Sequence, residues 1–317
     1  DLFGWKIEFE YTKEMPDGIL QLVGPDTSGF SPLSLVGLGF ISKADSTWSY
    51  DSTWLGDEMP IANKKITIQN EVIVDDVGLA DSLFAGLEVK TGGLLTFLDA
   101  TSLKIDGNVL NNGTILPASG SILKLVDNDT LTNNSSFSSG GLGTVEFMGS
   151  GVINGSSAIT FNNLVMNSGT LRFPKLSTTP HPTVTGEFRI NGGIVPYDND
   201  INSIGPRYGS SSKLVYASAN SRSRSAEWRG ASGTLQGQIQ PGYPNDVLVI
   251  NGTTLIMDGP RPVTGSAHDN PIVLGGNLTV SNAILKNFME RPLEVRGSLF
   301  LGESETDIGT FLMGDPV

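Results

Sequence analysis

From residue 65 onward the chain alternates between apolar and polar positions. Ile66, Ile68, Val72 and Val74 form one apolar set, and Leu87, Val89, Leu95 and Phe97 form the next. The same alternation returns in "SLKIDGNVLNNGTI", "ILKLVDN", "TVEFMGSGVI", "AITFNNLVMNSGTLRF", "EFRINGGIV", "KLVYASA", "VLVINGTTLIM", "NLTVSNAILKNF" and "LEVRGSLFLG". A period of two over four to eight residues predicts short strands with one face buried. Helical periodicity is nearly missing. Its best stretch, "VGLADSLFAGLEVK", is broken by Gly78 and Gly86 and passes into alternation at "LEVKTGGLLTF".

Between the strands stand Gly, Asn and Asp. The pairs Asn112-Gly113, Asn154-Gly155, Asn191-Gly192 and Asn251-Gly252 suit tight turns, because both residue types tolerate positive φ. Such turns fit hairpins in a sandwich, or the corners of a solenoid whose strands stack on their counterparts one coil later. The doublets Asn111-Asn112, Asn133-Asn134 and Asn162-Asn163 favour the solenoid, since Asn side chains repeated at one corner can hydrogen-bond along the stack. The predicted fold is all-β, a right-handed parallel β-helix with roughly twenty residues per coil. Residues 45–317 form the β-helix, and residues 1–44 a capping element or the end of an upstream β domain.

A solenoid exposes unpaired strand edges at its ends and needs caps there. "STWSYDSTWLGDEMPIANKKITIQNEVIVDD", residues 46–76, precedes the first regular coil and concentrates Trp48, Tyr50 and Trp54. Large rings with a polar handle suit such a boundary, which makes a cap the first reading. A platform for stacking a sugar, with Trp48 and Trp54 as ligand-binding residues, is the second.

Composition narrows the classes further. Gly accounts for 39 of 317 residues, in keeping with many tight turns, and the absence of Cys excludes disulfides and thiolate metal sites. A net charge of −13 with no basic tail argues against a nucleic-acid partner. No apolar run approaches the ~18 residues of a membrane span. The chain opens at "DLFGWKIEFEY", without Met or a signal-peptide pattern, and reads as a mature or excised piece of a longer precursor.

Four segments in order, over about residues 46–285, give the chain a resemblance. The tryptophan-rich opening is similar to "W…sTW.gg.vP….nVtI….vtvd". "AGLEVKTGGLLTFLDATSLKIDGNVLNNGTI" follows "sLtVnsGatLtf…sLtVnGnltNnGtf". "TVEFMGSG…INGSSAITFNNLVMNSGTLRF" is similar to "i.gs….tFnNLtinn.gt", and "KLVYASANSRSRSAEWRG…QPGYPNDVLVINGTTLIM" to "L.Y.sgg.y.rg.EW….gyPnnV.I.n.t.l". Together they resemble the secreted β-helix repeat proteins of Bacteroidota. The resemblance implies an extracellular or cell-surface location and export by the type IX secretion system. "FLMGDPV" at the end carries no sorting domain, so the export signal is expected downstream or already cleaved. The resemblance also implies O-glycosylation at Asp-Ser/Thr motifs, with Thr130, Ser46, Ser52 and Ser82 as acceptors. Thr130 ranks first because "DNDT" reads as an exposed turn, and Ser82 last.

Candidate chemistry is sparse. His181 in "TPHPT" and His268 beside Asp269 lie in loops without a nucleophile elbow and read as surface residues. Carboxylates at Asp75-Asp76, Asp127/Asp129 and Asp198/Asp200 are the positions a polysaccharide-cleaving β-helix would use. Asp127, Asp129, Asp198 and Asp200 are also weak candidates for Ca²⁺, though the pattern continues into no known calcium loop, so neither metal nor cofactor is expected. "SRSRSAEWRG" gathers Arg222, Arg224 and Arg229 around Trp228, either to grip an acidic polysaccharide or to cover Trp228 and pair with Glu227 on a solvent face. The expectation is a non-catalytic structural or adhesive segment whose partners are glycans, other surface proteins and, during export, the secretion machinery. The alternative is a polysaccharide lyase or glycosidase on the same scaffold.

Overall fold

The computed structural model describes residues 39–75, 79, 82–138, 143–173, 181–196, 205–228, 243–257, 272–287, 293–302 and 307–313. They belong to one compact unit that begins at Gly39. The strand Phe40–Ile41 already pairs with Lys65–Ile68, so the solenoid starts five residues before the expected boundary at residue 45.

Successive strands enter different sheets. Gly86–Val89 joins a seven-stranded sheet, Leu94–Phe97 an eight-stranded sheet and Ser102–Ile105 a ten-stranded sheet. Val109–Asn111 then returns to the first sheet, where Val109 stacks on Leu87. Three strands make one coil, and each coil pairs in parallel with the next. Ten strands in the longest sheet give about ten coils, as a parallel β-helix requires. Among the described residues the helical content is one 3₁₀ turn, Asp51–Thr53. The helix-like stretch around residue 85 forms the strands Leu83–Phe84 and Gly86–Val89 instead.

Alternation sets the inside and the outside. In Ile122–Leu125, Leu123 and Leu125 are buried while Ile122 and Lys124 face outward. Register carries that parity from coil to coil, so Leu103, Leu123, Val145, Leu164, Phe188, Leu214, Val247, Leu278 and Leu299 form one inward column. These columns merge into a single apolar cluster running from Trp48 to Leu285. Each fully buried side chain of this kind contributes about 1.5–3 kcal/mol.

Corners explain the punctuation. Asn112-Gly113 links Val109–Asn111 to Thr114–Leu116, two strands in different sheets, so it is no hairpin. Gly113 is there for closeness: a Cβ would sit 2.3 Å from the Lys90 carbonyl oxygen and 2.4 Å from that of Gly93. Asn251 and Gly252, in contrast, both adopt positive φ, at 57° and 74°. Among the described residues of the Asn doublets, the Asn stack forms at two positions. Buried Asn111 donates to Asn133 Oδ1 at 2.7 Å, and exposed Asn134 donates to Asn112 Oδ1 at 3.0 Å. Asn163 does not extend it and accepts the Glu187 amide instead.

The coils are not uniform. Leu103 and Leu123 are 20 residues apart, whereas Leu214 and Val247 are separated by 33. The seven-stranded sheet ends at Leu171–Arg172 and the eight-stranded one at Arg207–Tyr208. A four-stranded sheet then opens at Ser221–Ser223 and a two-stranded one at Ile272–Leu274. Among the described residues only the ten-stranded sheet runs through this change of cross-section.

Candidate functional site

At the N-terminal end the 3₁₀ turn folds Trp54 back under Trp48. The rings meet edge to face with centroids 4.9 Å apart, and Trp48 meets Phe84 likewise at 5.3 Å. Trp54 Nε1 donates to the Trp48 carbonyl oxygen at 2.9 Å, and Thr53 Oγ1 to that of Thr47 at 2.7 Å. Both indoles are wholly buried and belong to the solenoid core. The sugar-platform reading of Trp48 and Trp54 is thereby corrected: neither ring has a face for a ligand. Tyr50 is the exposed aromatic of the segment.

The second cluster lies where the sheets change. Glu227 is completely buried, and its Oε1 accepts the Tyr216 hydroxyl at 3.0 Å and the Ser225 amide at 2.9 Å. Arg222 approaches the same oxygen at 3.8 Å and lies over the Tyr216 ring, 5.2 Å from its centroid. The Tyr208 hydroxyl donates to the Glu227 carbonyl oxygen. Arg224 donates to the carbonyl oxygens of Trp228 and Met257, and Trp228 Nε1 to that of Val273 at 2.8 Å. Burial, and next the Glu227 charge, push both phenols well above their ordinary range, so they stay protonated and donate.

This arrangement corrects the solvent-face reading of "SRSRSAEW". Arg222, Arg224 and Trp228 point inward, leaving no exposed surface to hold a polysaccharide, and Arg229 lies outside the described residues. The reason is local. A buried carboxylate must be paired and hydrogen-bonded, and the arginines and tyrosines that do so are drawn in with it. Tyr208 and Tyr216 were not singled out in the sequence, although Tyr216 shares the inward parity of Leu214 in "KLVY".

The carboxylate candidates do not converge. Asp129 is buried, its Oδ2 accepts the Val126 amide at 2.9 Å, and desolvation raises its pKa to about 6. Asp127 turns outward, accepting the Ser150 amide of the next coil at 3.4 Å. Asp75 accepts the Ser49 hydroxyl. Among the described residues no three His, Asp or Glu side chains gather as metal ligands; Asp76, Asp198, Asp200, His268 and Asp269 lie outside them. His181, expected at the surface, is largely buried.

The glycosylation candidates sort differently from expectation. Thr130 is the second residue of the strand Asp129–Asn133, half-buried rather than in an exposed turn, because Asp129 turns inward to cap the corner. Ser52 is the exposed one of the candidates, while Ser46 and Ser82 are half-buried.

No protein-family model, no curated protein and no solved structure matches the chain.

Proposed function

We propose that the chain is a non-catalytic structural or adhesive segment of a larger extracellular or cell-surface protein. Its resemblance to exported Bacteroidota repeat proteins motivates the location and the type IX route. One observation carries the structural reading: a single apolar core continuous from Trp48 to Leu285 under a ten-stranded sheet. At about 4.8 Å per parallel strand, ten rungs make a rod of roughly 45 Å. Such a rod holds whatever flanks it at fixed separation, and its outward residues offer a regular surface to glycans or proteins. Fold alone does not assign function, so the test is chemical. The purified chain is incubated with neutral and anionic polysaccharides. Retention, or inertness, without turnover agrees with the proposal. New reducing ends or unsaturated uronate absorbance would replace it with the lyase or glycosidase reading.

A further inference from the structure

The four-stranded sheet opens with a charge on an apolar column. Register sets Arg222 of Ser221–Ser223 on Leu255, and Leu255 on Leu285, and both leucines are wholly buried. The Arg222 side chain is itself only 8% exposed, and Glu227 beside it is completely buried. Arg222 Nη2 stands 3.8 Å from Glu227 Oε1, too far for a direct hydrogen bond. That oxygen already accepts the Tyr216 hydroxyl and the Ser225 amide. Four buried polar atoms of the segment 222–227 then meet no hydrogen-bond partner among the described residues: Nε and Nη1 of Arg222, Oε2 of Glu227 and Oγ of Ser225. Charges persist in a core only when they are paired and hydrogen-bonded.

We infer that an ordered internal water joins Arg222, Ser225 and Glu227. The set of donors and acceptors selects this occupant. Arg222 offers donors alone and the Glu227 carboxylate acceptors alone. A halide would satisfy the guanidinium but lie against the carboxylate, and a metal ion would meet the reverse conflict. Water accepts from Arg222, donates to Glu227 Oε2 and keeps a further proton or lone pair for Ser225 Oγ. Three partners are the usual complement of a buried water. A gap of 3.8 Å between ionised groups also suits a bridging water. The core is therefore wet at the place where two long sheets end and a new one opens. The site is closed, so its occupant is structural, and the inference is independent of the function proposed above.

A high-resolution crystal structure should show one density peak within hydrogen-bond reach of all three side chains, and a bromide soak should leave no anomalous signal there. Ser225→Ala supplies a test of sign in solution. With Oγ bridged, its removal should raise the unfolded-to-folded ratio roughly fivefold in chemical denaturation, the loss of one ordinary hydrogen bond. With Oγ unbridged, deleting a buried unsatisfied atom would leave stability unchanged or higher, and that result overturns the inference. So does bromide in the site, or a guanidinium that bonds the carboxylate directly with no density between them.

Discussion

At the scale of single residues, the solenoid departs most from an apolar core at Glu227 and Asp129, and both departures have measurable consequences. Glu227 holds the Tyr216 hydroxyl, the Ser225 amide and the Arg222 charge inside the core. Glu227→Ala would strand all three, and breaking a buried pair from one side typically costs ~3–5 kcal/mol. Glu227→Gln keeps an acceptor for the tyrosine and the amide, so chemical denaturation should rank it between Ala and wild type. Asp129 behaves oppositely with pH. Its folded pKa of about 6 exceeds the ordinary 3.8, so between those values the folded state holds the extra proton. The resulting stability is complete below about pH 4 and lost as pH rises through about 6. Thermal melts from pH 7 down to pH 5 should therefore show a stabilising contribution that Asp129→Asn removes. Neither residue was legible from the sequence in this role. "VDNDT" and "SAEW" read as surface turns because polarity in a short segment predicts exposure, and only long-range packing can override it.

Strands and corners were far more legible, since alternation and side-chain parity are local properties. Every inward position of "LKIDGNV" and "ILKLV" was marked by Leu, Ile or Val before any pairing was known. The stacking of Asn111 on Asn133 was legible for the same reason, because two coils of similar length place the doublets at one corner. Asn162-Asn163 misled because the next coil presents the Glu187 amide there rather than another Asn. Gly113 was read correctly as a corner but for a different cause, close approach instead of positive φ. Gly113→Ala would drive a methyl against two backbone carbonyls that cannot retreat independently. Overpacking of this kind costs about 1–3 kcal/mol, and the midpoint of a denaturant titration should fall accordingly. Asn251 and Gly252 supply the contrast. Nothing lies within 4 Å of a Cβ at Gly252, so any penalty for Gly252→Ala comes from φ alone.

On the scale of the whole solenoid, the change of cross-section near residues 205–228 is the feature with the widest consequence. No repeat in the sequence announced it, because the alternating strands continue through it while only the coil length grows. Two of the three long sheets stop by Arg207–Tyr208, so among the described residues the ten-stranded sheet carries the backbone ladder across this seam, joined by the Ala226 amide donating to the Val195 carbonyl oxygen at 3.0 Å. Side chains supply the rest: Tyr208 and Tyr216 reach Glu227 from the near side, while Arg224 and Trp228 bond the carbonyls of Met257 and Val273 beyond it. In a stack of repeats, cooperativity depends on the interface between neighbours, and the weakest interface sets where unfolding divides. With the polar cluster intact, the coils on both sides should melt together. Glu227→Ala loosens the seam without touching the apolar columns on either side. Calorimetry of that variant should resolve two transitions where the wild type has one. Hydrogen exchange should then lose protection at 243–301 before 86–172, because the later coils have fewer complete sheets. A single, merely lowered transition with uniform loss of protection would show instead that the ten-stranded sheet alone couples the two sections.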